Sequence, residues 1–151
     1  FRLTSKEKRQ LRLFVQRGGT VLADAICGSP RFTQAFRREM RATFNQPLKQ
    51  IPSGDPIFSI AYGGSNLQQV ARREASRSNG SKGGEAGWEV RTKLGPPQLD
   101  GIRVDGRWAV VYSPLDLSCA LENHASPDCN GYTSEDAARI AINVILYSLH
   151  E

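Results

Sequence analysis

The chain has 151 residues, 39% apolar and 23% charged, with a net charge of +5, the composition of one globular domain with a real core. No apolar run approaches the roughly 18 residues that span a bilayer, and no secretory signal is visible. Three cysteines without a CxxC pair point away from a disulfide framework and from a zinc site.

Charge is spread unevenly: eleven Lys/Arg against three Asp/Glu in residues 1–50, nine against twelve in residues 51–151. The basic half reads as two solvated helix faces; the alternative is a surface for phosphates, an acidic partner or anionic lipid.

Thr4-Ser5-Lys6-Glu7 is a capping box, and Leu11, Phe14 and Val15 follow at helical spacing until Gly18-Gly19 ends the helix. Residues 20–23 form a short apolar run expected to be a strand covered on both faces. A second helix is predicted over residues 30–44, with Pro30 in its first turn. Phe32, Phe36, Met40 and Phe44 form its buried stripe, and Arg31, Arg37, Arg38 and Arg41 lie outside. Residues 56–62 are expected as a strand. Residues 63–98 are the least folded-looking part, with a flexible loop at 77–84 and a short strand at 88–92. Asp105-Gly106 predicts a type I′ hairpin between residues 101–104 and 107–112. Residues 114–132 read as a loop or broken helix in which a Cys119–Cys129 bridge is a weakly supported alternative, and Thr133 caps the last helix. The expected fold is a single three-layer α/β domain over residues 1–151. If the strands at 20–23 and 108–112 run parallel, the loops at 24–29 and 113–124 are neighbours.

The chemistry-bearing residues gather in those two loops. Cys27 stands where a strand meets a helix start, the position of a nucleophile flanked by helix N–H groups; the plainer reading is a packing thiol. His124 is the candidate base, with Glu122 or Asp116 to orient it, or else a solvated loop histidine. Asp24, Gly28, Ser29, Arg38 and Asp116 are the candidate ligand-binding residues. Asp24 is also suited to capping its turn, and Asp24 and Asp116 to holding Mg²⁺. The sequence has no GxxxxGK[ST], no GxGxxG and no interleaving of aromatic and basic residues, so nucleotides and nucleic acids are disfavoured as partners. No cofactor is identified, and the partner is an unspecified small ligand or protein.

Four blocks carry a family resemblance: FRLTSKEKRQLRLFVQRGGTVLADAICGSPRFTQAFRREM, PLKQIPSGDPIF, LDGIRVDGRWAVVYSPLDLSCALE and GYTSEDAARIAINVILYSL. They resemble a bacterial family known as domain of unknown function 4159, similar in turn to the class I glutamine amidotransferase-like superfamily, which includes trehalose-utilisation-type proteins. The resemblance implies a flavodoxin-like sandwich, one or two strands upstream of Phe1, and the amidotransferase cysteine's place for Cys27. The chain departs from that pattern: it has no Gly-x-Cys-x-Gly and no later His-Pro-Glu, and Asp55 stands before Pro56 where the family often has His. The leading expectation is a non-catalytic or ligand-binding module of a larger bacterial protein. The alternatives are a Cys27-dependent hydrolase or amidotransferase and a metal- or phosphate-binding site. An open sheet edge predicts weak self-association as a homodimer. The compartment is left open.

Overall fold

The computed structural model describes residues 1–77, 88–123, 126 and 128–150. In chain order the elements are α1 (Ser5–Gln16), β1 (Val21–Asp24), α2 (Pro30–Phe44), β2 (Lys49–Gln50), β3 (Val70–Arg77), β4 (Trp88–Gly95), β5 (Asp100–Val104), β6 (Arg107–Ser113), α3 (Ser118–Leu121), β7 (Gly131–Tyr132) and α4 (Ser134–His150), with 3-10 turns at Ile26–Gly28 and Pro56–Phe58. The chain is a mixed α/β protein with two sheets. The larger has strand order β1-β6-β5-β2, with β1 parallel to β6 and the other pairs antiparallel. The smaller, β4-β3-β7, is antiparallel. Among the described residues, no helix is long and apolar enough to cross a membrane.

The apolar run of β6 explains its place at the centre. All seven of its residues are buried, as a strand must be when helices cover both faces. On one face Phe36 and Met40 of α2 pack against Val110, Tyr112 and Ile102, with half-buried Leu11 of α1 alongside. Phe36 stacks on Tyr112 with ring centres 4.7 Å apart. On the other face Ile140, Val144 and Tyr147 of α4 pack with Trp108, Val111 and Leu99. The capping box at Thr4 forms as read, α2 has the expected bounds, and Asp105 and Gly106 both adopt the positive φ that a type I′ turn demands.

Several expectations are corrected. The strand β1 is an edge strand, paired with β6 alone, and Leu22 is 39% exposed, so β1 is not covered on both faces. Within the predicted stripe of α2, Phe36 and Met40 are buried while Phe32 and Phe44 are half-buried.

Residues 56–62 are not a strand. Asp55 accepts the Ile57 N–H through Oδ1 at 3.1 Å, and its Oδ2 takes the Trp108 indole N–H at 2.9 Å and pairs with Arg103 at 3.1 Å. With Pro56 at its first position, that cap selects a 3-10 turn. Buried Asn143 then holds the following segment, its amide nitrogen facing the Ile57, Ser59 and Ser65 carbonyls at 3.0, 3.2 and 2.9 Å.

Residues 63–98, read as the least folded part, contain a long hairpin, with β3 and β4 in register from Val70 opposite Gly95 to Arg77 opposite Trp88. Its charged residues hid the strand pattern; Lys93 and Glu74 form a cross-strand pair at 2.6 Å. The strand expected at 88–92 runs on to Gly95. Of the expected flexible loop, Arg77 ends β3 and 78–84 lie outside the described residues. The broken helix of residues 114–132 contains α3 and β7.

Buried Glu39 of α2 ties the two basic helices together. It accepts the Leu3 N–H at 3.2 Å and pairs with Lys8 at 3.0 Å and Arg38 at 2.9 Å. The Lys8 hydrogen bond, with the Leu3 N–H next in weight, holds its carboxyl down at about 2, against an ordinary 4.5. Because the folded value is depressed, the stabilisation is present above about pH 4.5 and lost as pH falls through about 2. Glu39→Gln is therefore expected to lower the urea midpoint at neutral pH and to converge with wild type near pH 2. A pH-independent difference between the two curves contradicts this.

Candidate functional site

The parallel pairing of β1 with β6 sets the turn after Asp24 beside the loop after Ser113, as the sequence suggested. The Ala25 N–H donates to the Ser113 carbonyl at 2.9 Å and carries the ladder one residue further. Beyond that, two carboxylates do the joining. Asp24 caps α3 instead of its own turn: its Oδ2 accepts the Leu117 and Ser118 N–H groups at 2.9 and 3.0 Å and the Ser118 hydroxyl at 3.0 Å. Asp116 is 1% exposed. Its Oδ1 accepts the Cys119 and Ala120 N–H groups at 2.9 and 3.2 Å, and its Oδ2 accepts the Cys27 N–H at 2.5 Å.

That last bond reaches a strained residue. Cys27 has φ +52° and Gly28 φ +67°, a left-handed pair that L side chains other than Asn and Asp rarely enter. The main chain of Asp116 engages a third segment. Its N–H donates to the Asn130 carbonyl at 3.0 Å, and its carbonyl accepts the Tyr132 N–H at 3.1 Å. Gly131 permits this contact, since a Cβ there would stand 2.8 Å from the Asp116 Cβ.

The three tethered segments each carry a cysteine. The Sγ atoms of Cys27 and Cys129 and a carboxylate oxygen of Asp116 all lie within 4.8 Å of one another. Cys119, in the first turn of α3, is not in that set of mutually close donor atoms; it meets Asp116 through its backbone N–H. All three thiols are free, so the Cys119–Cys129 bridge is not formed. Cys129 is buried, and Cys27 and Cys119 are half-buried. The hydrogen bond to Asp116, then burial, pushes the Cys119 thiol up to about 12. Burial, then the hydrogen bond with Cys27, raises Cys129. Both are therefore protonated at neutral pH.

The remaining predicted residues divide. The Gly28 N–H donates to the Ala25 carbonyl at 2.8 Å, and Ser29 caps α2 by accepting the Phe32 N–H at 3.4 Å. Arg38 bonds Glu39 at 2.9 Å and the Phe1 carbonyl at 2.8 Å, on the α1–α2 face. Glu122 is exposed at the end of α3. His124 lies outside the described residues. The other histidine, His150, sits in the last turn of α4 against the Leu146 carbonyl.

The sequence alone offers Cys119 and Cys129 as a weakly supported disulfide, argues against a zinc site through the lack of a CxxC pair, and gives no role to Asn130 and Gly131. One local signal was present: Asp116 precedes Cys119 by three residues, the spacing of a helix cap. Replacing Asp116 by Ala leaves three N–H groups without their acceptor and is expected to lower stability by about 3 kcal/mol. Asp116→Asn, which keeps one acceptor oxygen, is expected to cost less. Urea unfolding checks both; a wild-type midpoint for Asp116→Ala contradicts the joining role.

No curated protein and no solved structure matches the chain. One family model does, over residues 1–149: the chain belongs to the family described as domain of unknown function (DUF4159).

Proposed function

We propose that this domain is a non-catalytic, ligand-binding module of a larger bacterial protein. In this reading it has the flavodoxin-like, three-layer form of the glutamine amidotransferase-like superfamily and takes its ligand at the carboxyl edge of β1 and β6. Helices on both faces of the larger sheet support the architecture. The strained turn at the end of a parallel strand supports the location, since ligands gather at the carboxyl ends of such strands.

One observation favours binding over catalysis. A cysteine hydrolase needs free N–H donors beside its nucleophile to hold the oxyanion that develops on the substrate. Here the Cys27 N–H is engaged by the Asp116 carboxylate and the Gly28 N–H by the Ala25 carbonyl. An anion brought to Cys27 would displace a carboxylate from a half-buried N–H instead of filling an empty donor site. Arg38, the cation of a phosphate-site reading, is committed to Glu39 and Phe1.

The test is the alkylation rate of Cys27 in reduced, chelator-treated protein at neutral pH, followed by peptide mass spectrometry with iodoacetamide. The expected rate is no greater than that of an ordinary exposed thiol, with no adduct formed by a diazoketone analogue of glutamine. A Cys27 that reacts ten or more times faster, or that captures the glutamine analogue, overturns the reading in favour of the hydrolase.

A further inference from the structure

Resting on that reading of the strand edge as a ligand site, we propose that its ligand is a zinc-like, borderline-soft metal ion held by the thiolates of Cys27 and Cys129 and the carboxylate of Asp116, with the fourth position left to a further donor such as water. The chain contains three cysteines. Two of them, Cys27 and Cys129, are far apart in sequence, and the fold brings both to one carboxylate.

The spacing of the donor atoms suits an ion. A tetrahedral centre with ~2.3 Å bonds to sulfur sets its sulfurs about 3.8 Å apart. Cys27 Sγ, Cys129 Sγ and the Asp116 oxygen lie within 4.8 Å of one another, so closure onto a metal asks for side-chain shifts of about 1 Å or less. Two sulfurs and one carboxylate form a donor set that selects zinc over Mg²⁺ or Ca²⁺, which prefer all-oxygen shells.

The surroundings supply what such a centre needs besides ligands. Asp116 is 1% exposed and, among the described residues, pairs with no Lys or Arg. A buried carboxylate without a cation is costly, and a bound dication supplies the missing positive charge. Its orientation is fixed by the N–H groups of Cys27, Cys119 and Ala120, the outer-shell bonding that metal ligands ordinarily have. Cys27 is half-buried, while Cys129 and Asp116 are buried. On binding, each thiol gives its proton to solvent and donates a sulfur lone pair to the metal; no oxidant or reductant takes part.

The reduced, chelator-treated chain is titrated with Co²⁺ and then Zn²⁺. One Co²⁺ per chain is expected. It should show thiolate-to-cobalt charge transfer in the near ultraviolet and the intense visible bands of a tetrahedral site, and Zn²⁺ should displace it. Cys27→Ser and Cys129→Ser are each expected to weaken binding at least about ten-fold. Because these variants can misfold, the wild-type chain carries a second readout: Zn²⁺ should protect Cys27 and Cys129 together from maleimide. The weak spectrum of an octahedral site, affinity unchanged in both variants, or equal labelling with and without Zn²⁺ overturns the proposal. So does a mass two hydrogens short in untreated protein, which would assign the thiols to a disulfide. Absent metal binding with an ordinary alkylation rate refutes the metal alone and leaves the binding-module reading standing. A fast Cys27 in the metal-free chain refutes that reading whatever the metal does.

Discussion

The arrangement at the strand edge depends on one buried carboxylate. Asp116 is accepted into a closed interior because three N–H groups converge on it, from Cys27, Cys119 and Ala120. These bonds join the turn after β1 and the start of α3 to the same point, and the main chain of Asp116 adds the Asn130–Tyr132 segment. Without that hub, the turn after β1 would have no reason to hold Cys27 in a left-handed conformation. The parallel β1–β6 pair brings the loops near each other; Asp116 fixes where they meet.

The strongest sequence signals concerned single elements. Both long helices of the basic half, the Asp105-Gly106 hairpin and the start of α4 were legible because local chemistry decides them: a capping box, a proline at N1, a dipeptide suited to positive φ, a threonine cap. The adjacency of the two loops was legible too, through one conditional statement about strand direction. The β3–β4 hairpin was not, since Arg72, Arg73 and Glu74 opposite Arg91, Thr92 and Lys93 show no apolar alternation. Residues 56–62 misled because Ile57, Phe58 and Ile60 have strand composition, while distant Trp108, Arg103 and Asn143 determine their shape.

The candidate site divides along the same line. Cys27, Asp24 and Asp116 were visible as polar residues at the ends of apolar strands. The cysteine cluster was not, because spacing along the chain carries no information about segments that meet only in space: Cys119 and Cys129 looked like a pair of loop thiols, and no CxxC marked a metal. The roles also moved. Asp24, read as a cap for its own turn or a ligand, caps α3 across the strand pair. The donors that a nucleophilic Cys27 would need are engaged by the fold itself. A centre of two thiolates and one carboxylate gives Cys27, Cys129 and Asp116, brought together by that hub, a common use.

X-ray absorption at the zinc edge of the zinc-loaded chain tests that account most directly. It predicts a first shell with two sulfurs at about 2.3 Å and oxygen at about 2.0 Å. A shell of nitrogen and oxygen alone would contradict it, since the metal would then sit away from Cys27 and Cys129.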